Sequence, residues 1–205
     1  MTREPARRPV RAVLWDADGV LQHQPGGWVE WLEEAGGPGF ADAVFAAEVP
    51  ALRGEVGLRD SLDEVLRARP DSRVEVADLL ALWERAVLDA DAMALVAQTR
   101  ASGVLAVLAT NQQDHRRAWM RDVLGMDTHM DRAFYSCEMG VAKPDPAYFR
   151  HILDALGLDA EETGFVDDSL ANVEAARSVG IRSVHHDPAS GSAVLRDEVA
   201  GLLGR

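Results

Sequence analysis

The sequence predicts an α/β protein: a doubly wound parallel sheet interrupted by a helical insertion. Three observations point there. Short runs rich in Val and Leu end abruptly in polar residues at 10–15, 104–109 and 164–166. Amphipathic patterns of helical period fill the stretches between them. Glycines at 103, 125, 157 and 180 follow four of those patterns, where helix C-caps fall. Runs that stay apolar instead of alternating suit strands covered on both faces.

Taken in order, the first strand, 10–15, leads straight into Asp16, Ala17, Asp18 and Gly19. From 21 to 90 the alternation of strand and helix stops. The tracts WVEWLEEAGGPG, FADAVFAAEVPAL, GLRDSLDEVLRARP and VADLLALWERAVLDA read as helices punctuated by Gly36, Gly37, Pro38, Gly39, Pro50 and Pro70. This makes 21–90 an insertion and leaves 1–20 with 91–205 as the core. Trp28, Trp31 and Trp83 are expected in its interior, although His23 and Trp28 follow closely enough on Asp18 to hold functional interest. Beyond it come a helix at 91–102, the strand 104–109, a helix at 114–124, a weaker strand at 133–136 and a helix at 145–156. The strand 164–166, a helix at 169–179, a weaker strand at 181–185 and a helix at 189–203 complete the chain.

Composition bounds the partners. With 205 residues, 47% hydrophobic and 27% charged, the chain can bury one core and carry a modest insertion. Its 34 acidic against 21 basic residues, a net charge of −13, argue against a binder of phosphate backbones. The lone Cys137 has no intramolecular disulfide partner and is expected as a small buried hydrophobe. MTREPARRPV carries positive charge without an apolar run behind it, and no apolar stretch approaches bilayer length. The expectation is a soluble cytoplasmic protein acting on a small molecule, with neither nucleic acid nor membrane as partner.

The chemistry begins at Asp16 and Asp18. On an extended segment residues i and i+2 point to the same side, so the two carboxylates converge and their repulsion calls for a cation or a shared proton. A calcium loop of the EF-hand type needs Gly at its sixth position, Glu at its twelfth and flanking helices, none of which is present. Alone, the pair could cap a strand and face water. Thr110 and Asn111, however, stand at the next strand end, Lys143 on a turn fixed by Pro144, and Asp167 and Asp168 at a third strand end. Four acids near one sheet edge suit a hard divalent cation, with Mg²⁺ the natural choice where water and phosphate oxygens complete an octahedron. A lysine and a hydroxyl remain to hold an anion. His185, His186 and Asp187 could suggest a metal site but have no further clustered ligands and read as a solvated or hydrogen-bonded strand end; His115 and Arg116 follow Thr110 and Asn111 closely enough to approach a substrate, with a helix surface the preferred reading.

With these residues in place the sequence resembles the haloacid dehalogenase superfamily, aspartate-nucleophile hydrolases on a Rossmann-like core. Its first motif, D-x-D-G-[TV]-[LIV], is matched by Asp16 to Leu21, its second by Thr110, its third by Lys143 before Pro144, and its fourth by Asp167 and Asp168. The tracts YSCEMGVAKPDPAYFRHIL and FVDDSLANVEAARSVGI look like the subgroup of glucose 1-phosphate phosphatases and the N-terminal phosphatase domain of soluble epoxide hydrolases. The resemblance implies a C1-type cap over 21–90, because the gap between motifs one and two is long and that between two and three short.

It further implies a phosphatase acting on a small phosphate monoester, a sugar phosphate among the candidates. Asp16 would be the nucleophile and Asp18 the acid and base. Thr110, Asn111 and Lys143 would be the phosphoryl ligands. Mg²⁺ would be held by Asp16, the Asp18 carbonyl and Asp168, with Asp167 directly or through water. A phosphomutase shares this machinery. A haloacid dehalogenase lacks the second acid, so Asp18 counts against that reading. A non-catalytic module of this fold would be expected to have lost the nucleophile or the lysine.

Overall fold

The first strand is buried along its whole length because its two faces serve two cores. Ala12 and Leu14 pack with Phe149, Ile152 and Phe165, while Val13 and Trp15 pack with Val96, Leu108 and Leu195. In the computed structural model, which describes residues 8–205, this strand is β1 (Ala12–Trp15). The first seven residues of the expected core segment 1–20 lie outside the described residues.

After β1 come β2 (Gln22–His23), α1 (Trp28–Gly36), α2 (Phe40–Ala51), α3 (Leu58–Arg67), α4 (Val76–Leu80) and β3 (Val87–Leu88). The chain continues through α5 (Ala90–Ala101), β4 (Leu105–Thr110), α6 (Asp114–Asp122), β5 (Arg132–Tyr135), α7 (Ser136–Met139) and α8 (Pro146–Leu156). It ends with β6 (Thr163–Asp167), α9 (Leu170–Ser178), β7 (Arg182–His185) and α10 (Ser192–Leu203).

Five strands form one parallel sheet in the order β5-β4-β1-β6-β7. The chain builds outward from β1 on one side through β4 and β5, then returns to the other side through β6 and β7. The reversal places a crevice at the carboxyl ends of β4, β1 and β6, where ligands bind in such sheets. The two weaker strand signals belong to the outermost strands, β5 and β7, and the signal at 133–136 lies one residue late, since Ser136 opens α7.

Helices α1 to α4 share a separate apolar core of Leu32, Phe40, Val44, Leu58, Leu62 and Trp83, with Trp28 and Trp31 only partly buried against it. The two ends of this segment are tied by an antiparallel ribbon, Gln22 against Leu88 and His23 against Val87. Two-residue strands are too short to carry a period, so the sequence gives no sign of them. Cys137 is partly buried and packs against the sheet core; burial pushes its thiol up to about 11, which keeps it protonated and inert. Among the described residues no helix is long and apolar enough to cross a membrane.

Candidate active site

At the carboxyl end of β1 the Asp16 amide still donates to Val166 (3.0 Å), so the residue stays in the sheet before the chain turns away. The turn closes through Leu21 to the Ala17 carbonyl (2.8 Å) and Gly19 to the Gln22 carbonyl (2.9 Å). Gly19 sits at φ 75°, and a Cβ there would run into the Asp168 carboxylate, so both backbone angle and space require glycine. Asp16 is 7% exposed, and burial pushes its carboxyl up to about 7, with the Lys143 charge pulling down and Asp167 pushing up.

Lys143 organises the centre. Only 4% exposed, it donates from Nζ to Asp16 Oδ1 (2.8 Å), Asp167 Oδ2 (2.6 Å) and the Ala109 carbonyl (2.9 Å). Burial disfavours the ammonium, but the Asp16 and Asp167 carboxylates more than offset this and hold it above the usual lysine value. Asn111 fixes the loop: its side chain donates to the Lys143 carbonyl (2.8 Å) and accepts from the Lys143 amide (2.9 Å). Asp167 Oδ1 accepts from the Ser169 amide (2.8 Å) and the Asn172 side chain (2.9 Å). Both Asp167 oxygens are therefore engaged by the protein.

Asp16, Asp167 and Asp168 each offer an oxygen, and these lie within 4.8 Å of one another. Such a hard, all-oxygen donor set fits Mg²⁺. Burial, then the neighbouring Asp167, raise the Asp168 carboxyl above the usual carboxylate range, the condition a cation would relieve. With Asp167 already saturated, Asp16 and Asp168 have the freer oxygens. The Asp18 carboxylate stands outside this group, which leaves its main-chain carbonyl as the atom the resemblance assigns to the cation.

Asp18 instead faces the helical segment. Arg116 donates to Asp18 Oδ1 (2.6 Å), Gln22 to the same oxygen (3.1 Å), and Gln112 to Oδ2 (2.8 Å) while also reaching the buried Thr110 hydroxyl (3.1 Å). The expectation of a surface role for Arg116 is thereby overturned: it is 4% exposed, because the first turn of α6 rises directly from the end of β4 and faces the crevice. Its neighbour His115 does bind outside the centre, pairing with Glu84 (2.8 Å). His185 meets the Asp168 carbonyl (2.9 Å) and His186 meets Glu198 (2.8 Å), as a hydrogen-bonded strand end should. Gln22, Gln112 and Asn172 went unread in the sequence; the run NQQDHR directly after a buried strand is the signal that could have found Gln112 and placed Arg116.

A parallel α/β sheet whose carboxyl edge gathers two aspartates from its first strand end, a buried lysine and an acid pair defines a Rossmann-like hydrolytic enzyme with an aspartate–lysine centre. The model of haloacid dehalogenase-like hydrolases matches residues 10–180, and the chain belongs to that family. The GMP/IMP nucleotidase YrfG of Escherichia coli is 37% identical over 98 residues, 48% of this chain and 44% of that protein. A phosphoglycolate phosphatase of Cupriavidus necator is 27% identical over 186 residues, 84% of this chain and 79% of that one. The chain spans about half or less of the length of the first curated relatives it matches. A haloacid dehalogenase family enzyme of Bacteroides thetaiotaomicron, solved as a magnesium complex, shares the fold with a TM-score of 0.80 at 21% identity, covering 92% of this chain and 100% of that one.

Proposed function

We propose that the protein is a Mg²⁺-dependent phosphatase that hydrolyses a small phosphate monoester through an aspartyl-phosphate on Asp16, with 21–90 as a cap over a core of 1–20 and 91–205. The observation that carries this reading is the buried Lys143 ammonium bridging Asp16 and Asp167 at 2.8 and 2.6 Å, beside an Asp18 carboxyl aimed into the crevice. An Asp16 oxygen forms the bond to phosphorus as the ester P–O bond breaks, and Asp18 delivers its proton to the departing alkoxide. Asp18 then takes a proton from water, whose oxygen attacks phosphorus and releases Asp16 with inorganic phosphate. Lys143, the Thr110 hydroxyl and the Asn111 main-chain N–H hold the phosphoryl oxygens. Mg²⁺, held by Asp16, the Asp18 carbonyl and Asp168 with Asp167 behind, supplies charge neutralisation for the transferring group. Asp18 favours an oxygen leaving group over halide, which needs no proton.

The test is acid-quenched mass spectrometry after mixing with acetyl phosphate and Mg²⁺. A phosphoryl adduct on Asp16, absent in excess chelator, is expected; turnover of phosphate esters without adduct or metal overturns the reading.

A further inference from the structure

The crevice continues into a cavity of about 540 Å³ between the helical segment and the sheet edge, a size that encloses a complete small ligand. Asp18 and Arg116 form its floor. Trp28, Phe45, Leu52 and Trp83 supply its walls, the two indoles crossing edge to face with centroids 5.5 Å apart. Glu48, one turn beyond Phe45 on the same face of α2, adds a carboxyl.

Charge decides which alcohols fit. Among the described residues lining the cavity Arg116 is the only basic one, and its guanidinium is already paired with Asp18 at 2.6 Å. A second carboxylate or phosphate on the substrate would meet Glu30 and Glu48 with no free cation to offset them. A polyhydroxylated sugar would find the Asn111 side chain already bound to Lys143 and the Gln112 amide nitrogen to Asp18 and Thr110, leaving Gln24 and the exposed Glu30 as the remaining polar side chains for its hydroxyls beside indole, phenyl and leucine surface. A cationic alcohol gains little, because Glu30 is exposed to water, and burial pushes the Glu48 carboxyl up to about 7, against donors on Trp83 and Gln113 and the Arg116 charge, so Glu48 is about half protonated at neutral pH.

We propose that the leaving alcohol is uncharged and carries a flat, apolar ring system held against Trp28, with one hydrogen-bond donor of that ring received by Glu48. The preferred substrates are then aryl- or heteroaryl-alkyl phosphate monoesters. This assignment rests on the phosphatase reading above and extends it to the alcohol half.

The experiment compares kcat/KM for 2-(indol-3-yl)ethyl phosphate, 2-(naphthalen-1-yl)ethyl phosphate, glucose 6-phosphate, phosphoglycolate and phosphocholine, all esters of alkyl alcohols. The indole ester is expected to exceed the last three by at least about tenfold and the naphthalene ester by less. Glu48→Leu should bring the two aromatic esters level. Trp28→Ala should lower both, with Trp28→Phe retaining part of the preference and keeping the test usable if the alanine variant does not fold. Phosphorylation of Asp16 by acetyl phosphate without an aromatic preference, or with glucose 6-phosphate, phosphoglycolate or phosphocholine ahead, overturns the leaving-group assignment alone. Failure of acetyl phosphate to phosphorylate Asp16 overturns the phosphatase reading and this assignment with it.

Discussion

Arg116 reaches across 98 residues of sequence to place its guanidinium 2.6 Å from Asp18 Oδ1, with the arginine side chain 5% exposed and the aspartate 38%. The pair joins the helix after β4 to the loop after β1, and with Gln22 and Gln112 it fixes the direction in which the Asp18 carboxyl meets a leaving group. Arg116→Met should lower kcat on alkyl phosphates by about 10²-fold, within the range that a general acid–base group contributes. Arg116→Lys should recover part of this, since it restores charge without the planar fork. Steady-state kinetics on an alkyl ester and on p-nitrophenyl phosphate checks the positioning role: equal losses on both would leave Arg116 with a structural role only.

Gly19→Ala should act on the metal. The left-handed backbone costs a non-glycine residue roughly 1–2 kcal/mol, and the new methyl must displace the Asp168 carboxylate. Mg²⁺ affinity is expected to fall about tenfold, the lower end of what disturbing the support of a ligand costs. Asp168→Asn should weaken it at least as much while leaving the fold intact, because it removes charge without volume. Mg²⁺ titration by calorimetry, paired with thermal melts, reads both effects. Unchanged affinity in either variant would reassign the ligand.

Residues whose signal is local were legible in the sequence. The buried strands announce themselves because β1, β4 and β6 must be apolar on both faces; the aspartates and threonine at their ends stand out against such runs, as Lys143 does on its proline-fixed turn. Residues that act through distant contacts were not. Arg116 sits on a nine-residue helix rich in charge, where an arginine normally meets water; only the return of the chain beneath it makes the site buried. Glu48 looks like any solvated acid until α2 is folded over Arg116 and Trp83. The outer strands gave weak signals for a related reason: β7 is half-buried at the sheet edge and needs less apolar surface.

Glu48 should also mark stability against pH. Its carboxyl, ordinarily near 4.5, is pushed to about 7 in the folded protein by burial. Below about pH 4.5 both folded and unfolded chains carry the proton, so the contribution is fully present. As pH rises from there through 7, the unfolded chain ionises first and the relative stability of the fold is lost, on the order of 3 kcal/mol. Urea unfolding of the wild type and Glu48→Gln should therefore show the glutamine variant gaining on the wild type between pH 5 and pH 8. A difference independent of pH would place Glu48 in contact with water.

The adjacent carboxylates Asp16 and Asp18 should fail differently. Asp16 lies beside Lys143 and supplies the attacking oxygen, so Asp16→Asn should form no aspartyl-phosphate from any donor and hydrolysis should drop to background, with Mg²⁺ affinity lowered as well because Asp16 is one of its ligands. Asp18 faces the cavity instead, and Asp18→Asn removes a proton donor and base worth about 10²–10⁴-fold in rate. The first step should then depend on the leaving group: p-nitrophenol departs without a proton, whereas an alkyl alcohol needs one. In a single turnover Asp18→Asn should keep relatively more of its phosphorylation rate with p-nitrophenyl phosphate than with an alkyl ester. The second step requires the same residue to activate water, so phospho-Asp16 should accumulate in this variant and appear as a mass increment after acid quench. Equal losses for both leaving groups with no trapped phosphoenzyme would strip Asp18 of its acid–base role and leave it as the partner that keeps Arg116 in place.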